Sequence, residues 1–192
     1  MCSIMIKRED PAPQCVLTPR QRMTLVNGTS VSHQTAAEMD DAGFDFAFFQ
    51  RHGVRSRNIK VAGLGPVQLK ERGVENATAL RALGFSTIDL VDGTLCASCV
   101  SAFGAADVVS AFLVDASDAV VLAGSPAMFQ LDLDISTLLM VCAGCPTQAE
   151  AVVAQTHPRG ACLGKVTPET LLDTGLRNKQ LTNLGFTRES IQ

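Results

Sequence analysis

The stretch Pro66–Ser86 reads PVQLKERGVENATALRALGFS, and it contains one pattern twice. Leucine stands four residues before a glycine (Leu69 and Gly73, Leu80 and Gly84). One apolar residue follows the glycine (Val74, Phe85), and then a polar residue opens the next unit (Asn76, Ser86). The same order returns at Leu171, Gly175, Leu176 and Asn178, and at Leu181, Gly185, Phe186 and Thr187. Each part has a local cause. Thr, Ser, Asn and Asp side chains accept from the free N–H groups at a helix start. Proline suits the first helical turn, as in Thr18-Pro19, Gly65-Pro66, Ser125-Pro126 and Thr167-Pro168. Glycine adopts the left-handed conformation that closes a helix, and the apolar residue after it folds back on the last turn. One unit therefore predicts one helix of six or seven residues, about 10 Å long.

The pattern sets a beat along most of the chain. Eleven of the fifteen glycines keep it: Gly43, Gly53, Gly63, Gly73, Gly84, Gly104, Gly124, Gly144, Gly164, Gly175 and Gly185. The spacing is 10 or 11 residues at both ends and 20 between Gly84 and Gly164. Helices this short do not survive alone in water, so they must stack. The expectation is an all-α, solenoid-like stack of αα-hairpin repeats of about 20 residues.

The organisation follows from the beat. Residues 1–31 form an N-terminal arm with one short helix, opened by Thr18-Pro19 and closed by Gly28. Residues 32–192 form a helical repeat domain, regular over 33–92 and 167–191 and degenerate over 94–164. The degenerate part holds a competing signal, because Phe129–Ile135 alternates strictly as FQLDLDI, a strand pattern. Ala119–Ala123 and Leu138–Val141 are strand-like too. Helix is expected there, with a small strand insert over 119–141 as the alternative.

Composition narrows the function. Trp and Tyr are absent, which argues against stacking single-stranded nucleic acid or caging a quaternary amine. No Lys or Arg occurs from Ala82 to Pro158, whereas eight acidic residues do: Asp89, Asp92, Asp107, Asp115, Asp118, Asp132, Asp134 and Glu150. Such a block is a poor nucleic-acid surface and suits an acidic face for another protein or another copy. Met1–Ile6 is too short for a secretory core, and Asp115 and Asp118 break the most apolar stretch, so no leader and no membrane span are expected. Seven cysteines in that setting point to an intracellular, reducing compartment, an organelle or virion included.

The strongest chemical signal is the pair of CxxC knuckles, Cys96-Ala-Ser-Cys99 and Cys142-Ala-Gly-Cys145. Four such thiolates can close a tetrahedral zinc site. A regular stack over the 42 residues between the pairs would hold them too far apart, so zinc requires the middle to loop out. Otherwise the cysteines are small core hydrophobes, or a redox dithiol. Catalytic grammar is missing: there is no P-loop, dinucleotide fingerprint or nucleophile elbow, and His33, His52 and His157 lack partners at a meaningful spacing. No enzymatic activity is expected.

The units Leu80–Ser86 (LRALGFS) and Leu181–Thr187 (LTNLGFT) resemble the Gly-Phe-Ser units of short-helix repeat proteins. They are also similar to a fragment of the mitochondrial transcription termination factor repeat, whose unit is about three times this beat. The resemblance implies a helical-repeat architecture across His33–Ile191 and no functional residue. The sequence thus points to a non-enzymatic structural or protein-interaction module, a subunit or connector in a larger assembly. Val108, Phe112, Val121 and Phe129 are its candidate contact residues, other proteins or copies of itself its partners, and no cofactor is expected. Two alternatives stand beside it. One is a zinc-stapled binding domain using Cys96, Cys99, Cys142 and Cys145, and the other a nucleic-acid-binding repeat using the basic segment 51–81.

Overall fold

A computed structural model describes residues 16–156, 167–184 and 186–191, and every regular element among them is helical. Thr18 opens α1 (Pro19–Val26) with a capping box: its hydroxyl accepts from the Gln21 N–H, and the Gln21 amide oxygen accepts from the Thr18 N–H at 2.9 Å. Six short helices follow: α2 (His33–Glu38), α3 (Phe46–Arg51), α4 (Ser56–Val61), α5 (Pro66–Glu71), α6 (Ala77–Ala82) and α7 (Thr87–Leu90). A single 3-10 turn, Asp41–Gly43, stands between α2 and α3. Gly43 is thus part of a turn and closes no helix, so the beat begins one glycine later than its spacing suggests. The middle comprises α8 (Thr94–Phe103), α9 (Ala105–Phe112), α10 (Ala116–Leu122), α11 (Pro126–Gln130), α12 (Ile135–Val141) and α13 (Pro146–Thr156). Last come α14 (Pro168–Asp173), α15 (Asn178–Asn183) and a 3-10 turn at Arg188–Ser190.

The predicted closing device is present. In each regular unit the N–H of the residue after the glycine donates to the carbonyl five residues back: Val54 to Phe49, Leu64 to Ile59, Val74 to Leu69, Phe85 to Leu80 and Leu176 to Leu171. This is the long bond of a Schellman cap, and it needs a left-handed residue in between, such as Gly84 at φ +87°. One further cap uses no glycine. Leu133 donates to Met128 in the same way, with Asp132 at φ +52° in the glycine's place. The beat therefore persists into the middle behind a substitution that sequence spacing hides. Gly104, Gly124 and Gly144 are also left-handed, but they sit in other turns, and Gly164 and Gly185 lie outside the described residues.

The strand alternative over 119–141 is not what forms. Ala116–Leu122, Pro126–Gln130 and Ile135–Val141 are all helical. The alternation of Phe129–Ile135 straddles the end of α11, the Asp132 cap and the Asp134 N-cap of α12, whose carboxylate accepts from the Thr137 N–H at 2.7 Å. Helix openers outweigh the period-2 pattern: Asp115 and Asp134 each satisfy backbone donors locally, and Pro126 suits the first turn of α11.

Packing follows a rule of three. α1 packs on α4, α5 on α8, α6 on α9, α7 on α10, α8 on α11 and α10 on α13. Hydrogen bonds repeat it. Ser56 donates through Oγ to the Gly84 carbonyl (2.7 Å), Thr87 through Oγ1 to the Phe112 carbonyl (2.8 Å), and Arg81 to the Ala111 carbonyl (2.7 Å). The Ala77 N–H, at the start of α6, donates to Asp107 of α9 at 2.8 Å. These partners stand 25 to 30 residues apart in sequence. Some neighbours pair as hairpins, among them α1 with α2, α8 with α9 and α12 with α13, but the recurring partner is the third helix on. Third-helix pairings and hairpin pairings of neighbours thus occur side by side among the described residues. One core runs through all of it, from Leu17 and Leu25 to Leu171 and Leu181. The helix assigned to an arm, α1, belongs to that core; residues 1–15 lie outside the described part.

Candidate functional site

The first cysteine pair is on α8, where positions three apart share a helix face. Cys96 and Cys99 both point into the core and are buried. Burial pushes the Cys96 thiol up, with Asp92 adding to it, and burial followed by the neighbouring Cys96 pushes Cys99 up to about 12. Thiols held this firmly protonated are packing groups, not nucleophiles. The second pair brackets the turn between α12 and α13. Cys142 ends α12 and is fully buried, whereas Cys145 is half-buried. Burial and then Cys145 raise the Cys142 thiol. α8 packs on α5, α7, α9 and α11, while α12 packs on α10 and α13, so no extensive contact joins the helices that carry the two pairs. Among the described residues no group of three or more His, Cys, Asp or Glu side chains comes together to hold a metal ion. Cys2, Cys15 and Cys162 lie outside the described residues, as does His157.

The four candidate contact residues do not form one surface. Val108 and Phe112 are fully buried on the inner face of α9, and Val121 is half-buried. Val108 and Phe112 are part of this chain's own core, because an apolar run read without its helical phase mixes inner and outer faces. Phe129 is 79% exposed. Met140 on α12, at 69%, is an exposed side chain that the sequence reading missed. Its signal was the phase of α12, in which Leu138 and Leu139 turn inward.

Four of the seven cations in the basic segment 51–81 are engaged. Lys60 reaches Asp89 at 2.5 Å, Lys70 donates to the Ala102 carbonyl and lies over the Phe103 ring, Arg72 donates to the Asp41 carbonyl, and Arg81 faces Asp118 at 3.6 Å. Arg51, Arg55 and Arg57 are exposed. The acidic residues of the middle are similarly occupied. Asp115 and Asp134 cap helices, Asp107 receives the Ala77 N–H, and Asp118 accepts from Thr87 at 2.6 Å. Burial opposes the charge on Asp89, but hydrogen bonds from Lys60 and the Ser86 backbone outweigh it and hold its carboxyl below the usual range. Lys60, Lys70, Arg72 and Arg81 thus meet carbonyls and carboxylates of other parts of the chain.

Two adjoining cavities lie near the first units. One, of 490 Å³, is lined by Asp41, Phe44, Asp45, Phe46, Glu71 and Arg72; the other, of 360 Å³, by Val31, Met39, Phe48, Arg51 and His52. His52 caps α3 and its ring packs on Phe48 at 4.5 Å. Among the described residues no single helix is long and apolar enough to cross a membrane. No family model matches the chain, and no curated protein or solved structure matches it either.

Proposed function

We propose that this chain is a non-enzymatic structural or protein-interaction module, a subunit or connector of a larger assembly in a reducing compartment. Its architecture on this reading is a solenoid whose turn is three short helices. The observation that carries the reading is the combination of third-helix pairing with large apolar side chains left outside it. Phe129 and Met140 stand on α11 and α12, both within the stretch free of Lys and Arg. A stack of repeats presents an extended surface of this kind to partners, and an apolar surface free of cations avoids the desolvation that buried lysines would cost. The three-beat turn also equals the unit length of the mitochondrial transcription termination factor repeat, to which Leu80–Ser86 is similar, and that supports the helical-repeat scaffold. The engaged cations of segment 51–81 favour the scaffold over the nucleic-acid reading.

Light scattering of the purified chain, with Phe129→Asp and Met140→Asp in parallel, tests this. The expected result is self-association, or association with a co-purified protein, that either substitution weakens at least tenfold. A monodisperse monomer with no co-purifying protein, unaltered by both substitutions, would sink the proposal.

A further inference from the structure

We propose that the turn Cys142–Cys145 is a reversible dithiol–disulfide site that exchanges with small disulfides of the glutathione type. The two cysteines differ from Cys96 and Cys99 in both geometry and access. The Cys145 N–H donates to the Cys142 carbonyl at 2.8 Å and closes a four-residue turn. A β-turn holds its first and last Cα within about 7 Å, and a disulfide spans Cα pairs about 4.4–6.8 Å apart. Gly144, at φ +77°, occupies the third position, where a type II turn requires a left-handed residue. Ala143 and Gly144 are exposed, and no atom lies within 4 Å of where a Cβ on Gly144 would stand. The middle of the turn therefore faces solvent, while its two ends pack on the core.

The sulfurs are also unequal. Cys145 is half-buried and reachable, and Cys142 is shielded behind it. That asymmetry fits a two-step exchange. The Cys145 thiolate attacks one sulfur of the small disulfide, forms a mixed disulfide and releases one thiolate, which takes up a proton. The Cys142 thiol then attacks the Cys145 sulfur, passes its proton to the departing thiolate, forms the intramolecular bond and releases the second small thiol. The protein loses two protons and two electrons, and the small disulfide becomes two thiols. The contribution of Cys145 to raising the Cys142 thiol, second to burial, agrees with their proximity. On α8 the first step has no entry, since both sulfurs are buried.

The full chain, reduced and then equilibrated in glutathione buffers from fully reduced to fully oxidised, supplies the test. After acid quench, alkylation and proteolysis, peptide masses locate each thiol. The expected product is a Cys142–Cys145 disulfide whose fraction follows the glutathione ratio and which dithiothreitol reverses. Native alkylation of Cys145 should outpace that of Cys96 and Cys99 by more than about tenfold. Cys142→Ser should accumulate glutathione on Cys145. Because the wild-type map alone decides, a folding defect in that variant does not weaken the test. Two alkylatable thiols after equilibration in oxidised glutathione, a wild-type Cys145 adduct that persists unresolved, or pairing with another cysteine would each overturn the proposal.

Discussion

Gly124 is where the third-helix packing can be tested by adding one methyl group. It follows α10 with φ +69°, and a Cβ built there would meet the Gln155 carbonyl oxygen, in the last turn of α13, at 2.7 Å. Gly63 has nearly the same backbone, φ +75°, but nothing within 4 Å of its added Cβ. Alanine at either position incurs the left-handed penalty, about 1–2 kcal/mol for an L-residue. At Gly63 that is the whole cost. At Gly124 the end of α13 must also retreat by about 0.7 Å to reach an ordinary contact, and overpacking of this sort adds about 1–3 kcal/mol. Gly63→Ala should therefore cost about 1–2 kcal/mol and Gly124→Ala about 2–5 kcal/mol. For a chain of this length each kcal/mol lowers Tm by about 2–4 °C. Urea titration followed by circular dichroism, with Tm as a second readout, measures both. Equal losses, within about 0.5 kcal/mol, would mean that α10 and α13 do not meet as described.

The Cys99 thiol, held up at about 12 against an ordinary value of 9.0, makes stability fall as pH rises between those values. The unfolded chain releases that proton above pH 9 and the native chain keeps it, so the slope is at most about −1.4 kcal/mol per pH unit. Cys99→Ala should flatten the pH dependence of the urea midpoint over that window, and an unchanged slope refutes the assignment. Asp107→Ala removes the acceptor for the Ala77 N–H and should cost about 1–2 kcal/mol, measured by urea denaturation, as loss of an N-terminal cap does; no loss would show the cross-unit bond to be dispensable. Elemental analysis should find less than about 0.2 zinc per chain, with Tm indifferent to chelator, since a closed four-thiolate site would bind tightly.

How much of this was legible can be read from particular residues. Leu69-to-Val74 and Leu80-to-Phe85 were legible because a Schellman cap is wholly local: leucine, glycine and apolar residue lie within six positions. The proline starts of α1, α5, α11 and α14 were legible for the same reason. The long-range helix pairing was not, because nothing within ten residues states whether a helix packs on its second or third successor. That choice is made by long-range contacts such as Thr87 to Phe112 and Ala77 to Asp107. Asp132 shows the limit of counting glycines: its φ of +52° continues the beat under another name. At the candidate site, the CxxC spacing announced two thiol pairs but not their exposure. Helical phase buries Cys96 and Cys99 together, while a turn leaves Cys145 half-open. The same phase separates Phe112 inside from Phe129 outside.

The rule of three also bears on how the chain folds. Every extensive helix pairing joins elements no more than three apart in sequence, so no segment must search the length of the chain for its partner. Loop-closure entropy is then modest at each step, and low contact order favours rapid folding. On the proposed solenoid, a turn formed anywhere offers its neighbours a template on either side, so growth proceeds outward from several seeds and the two ends open first. Amide exchange should accordingly decline in steps from the terminal helices toward the centre, instead of showing one cooperative block.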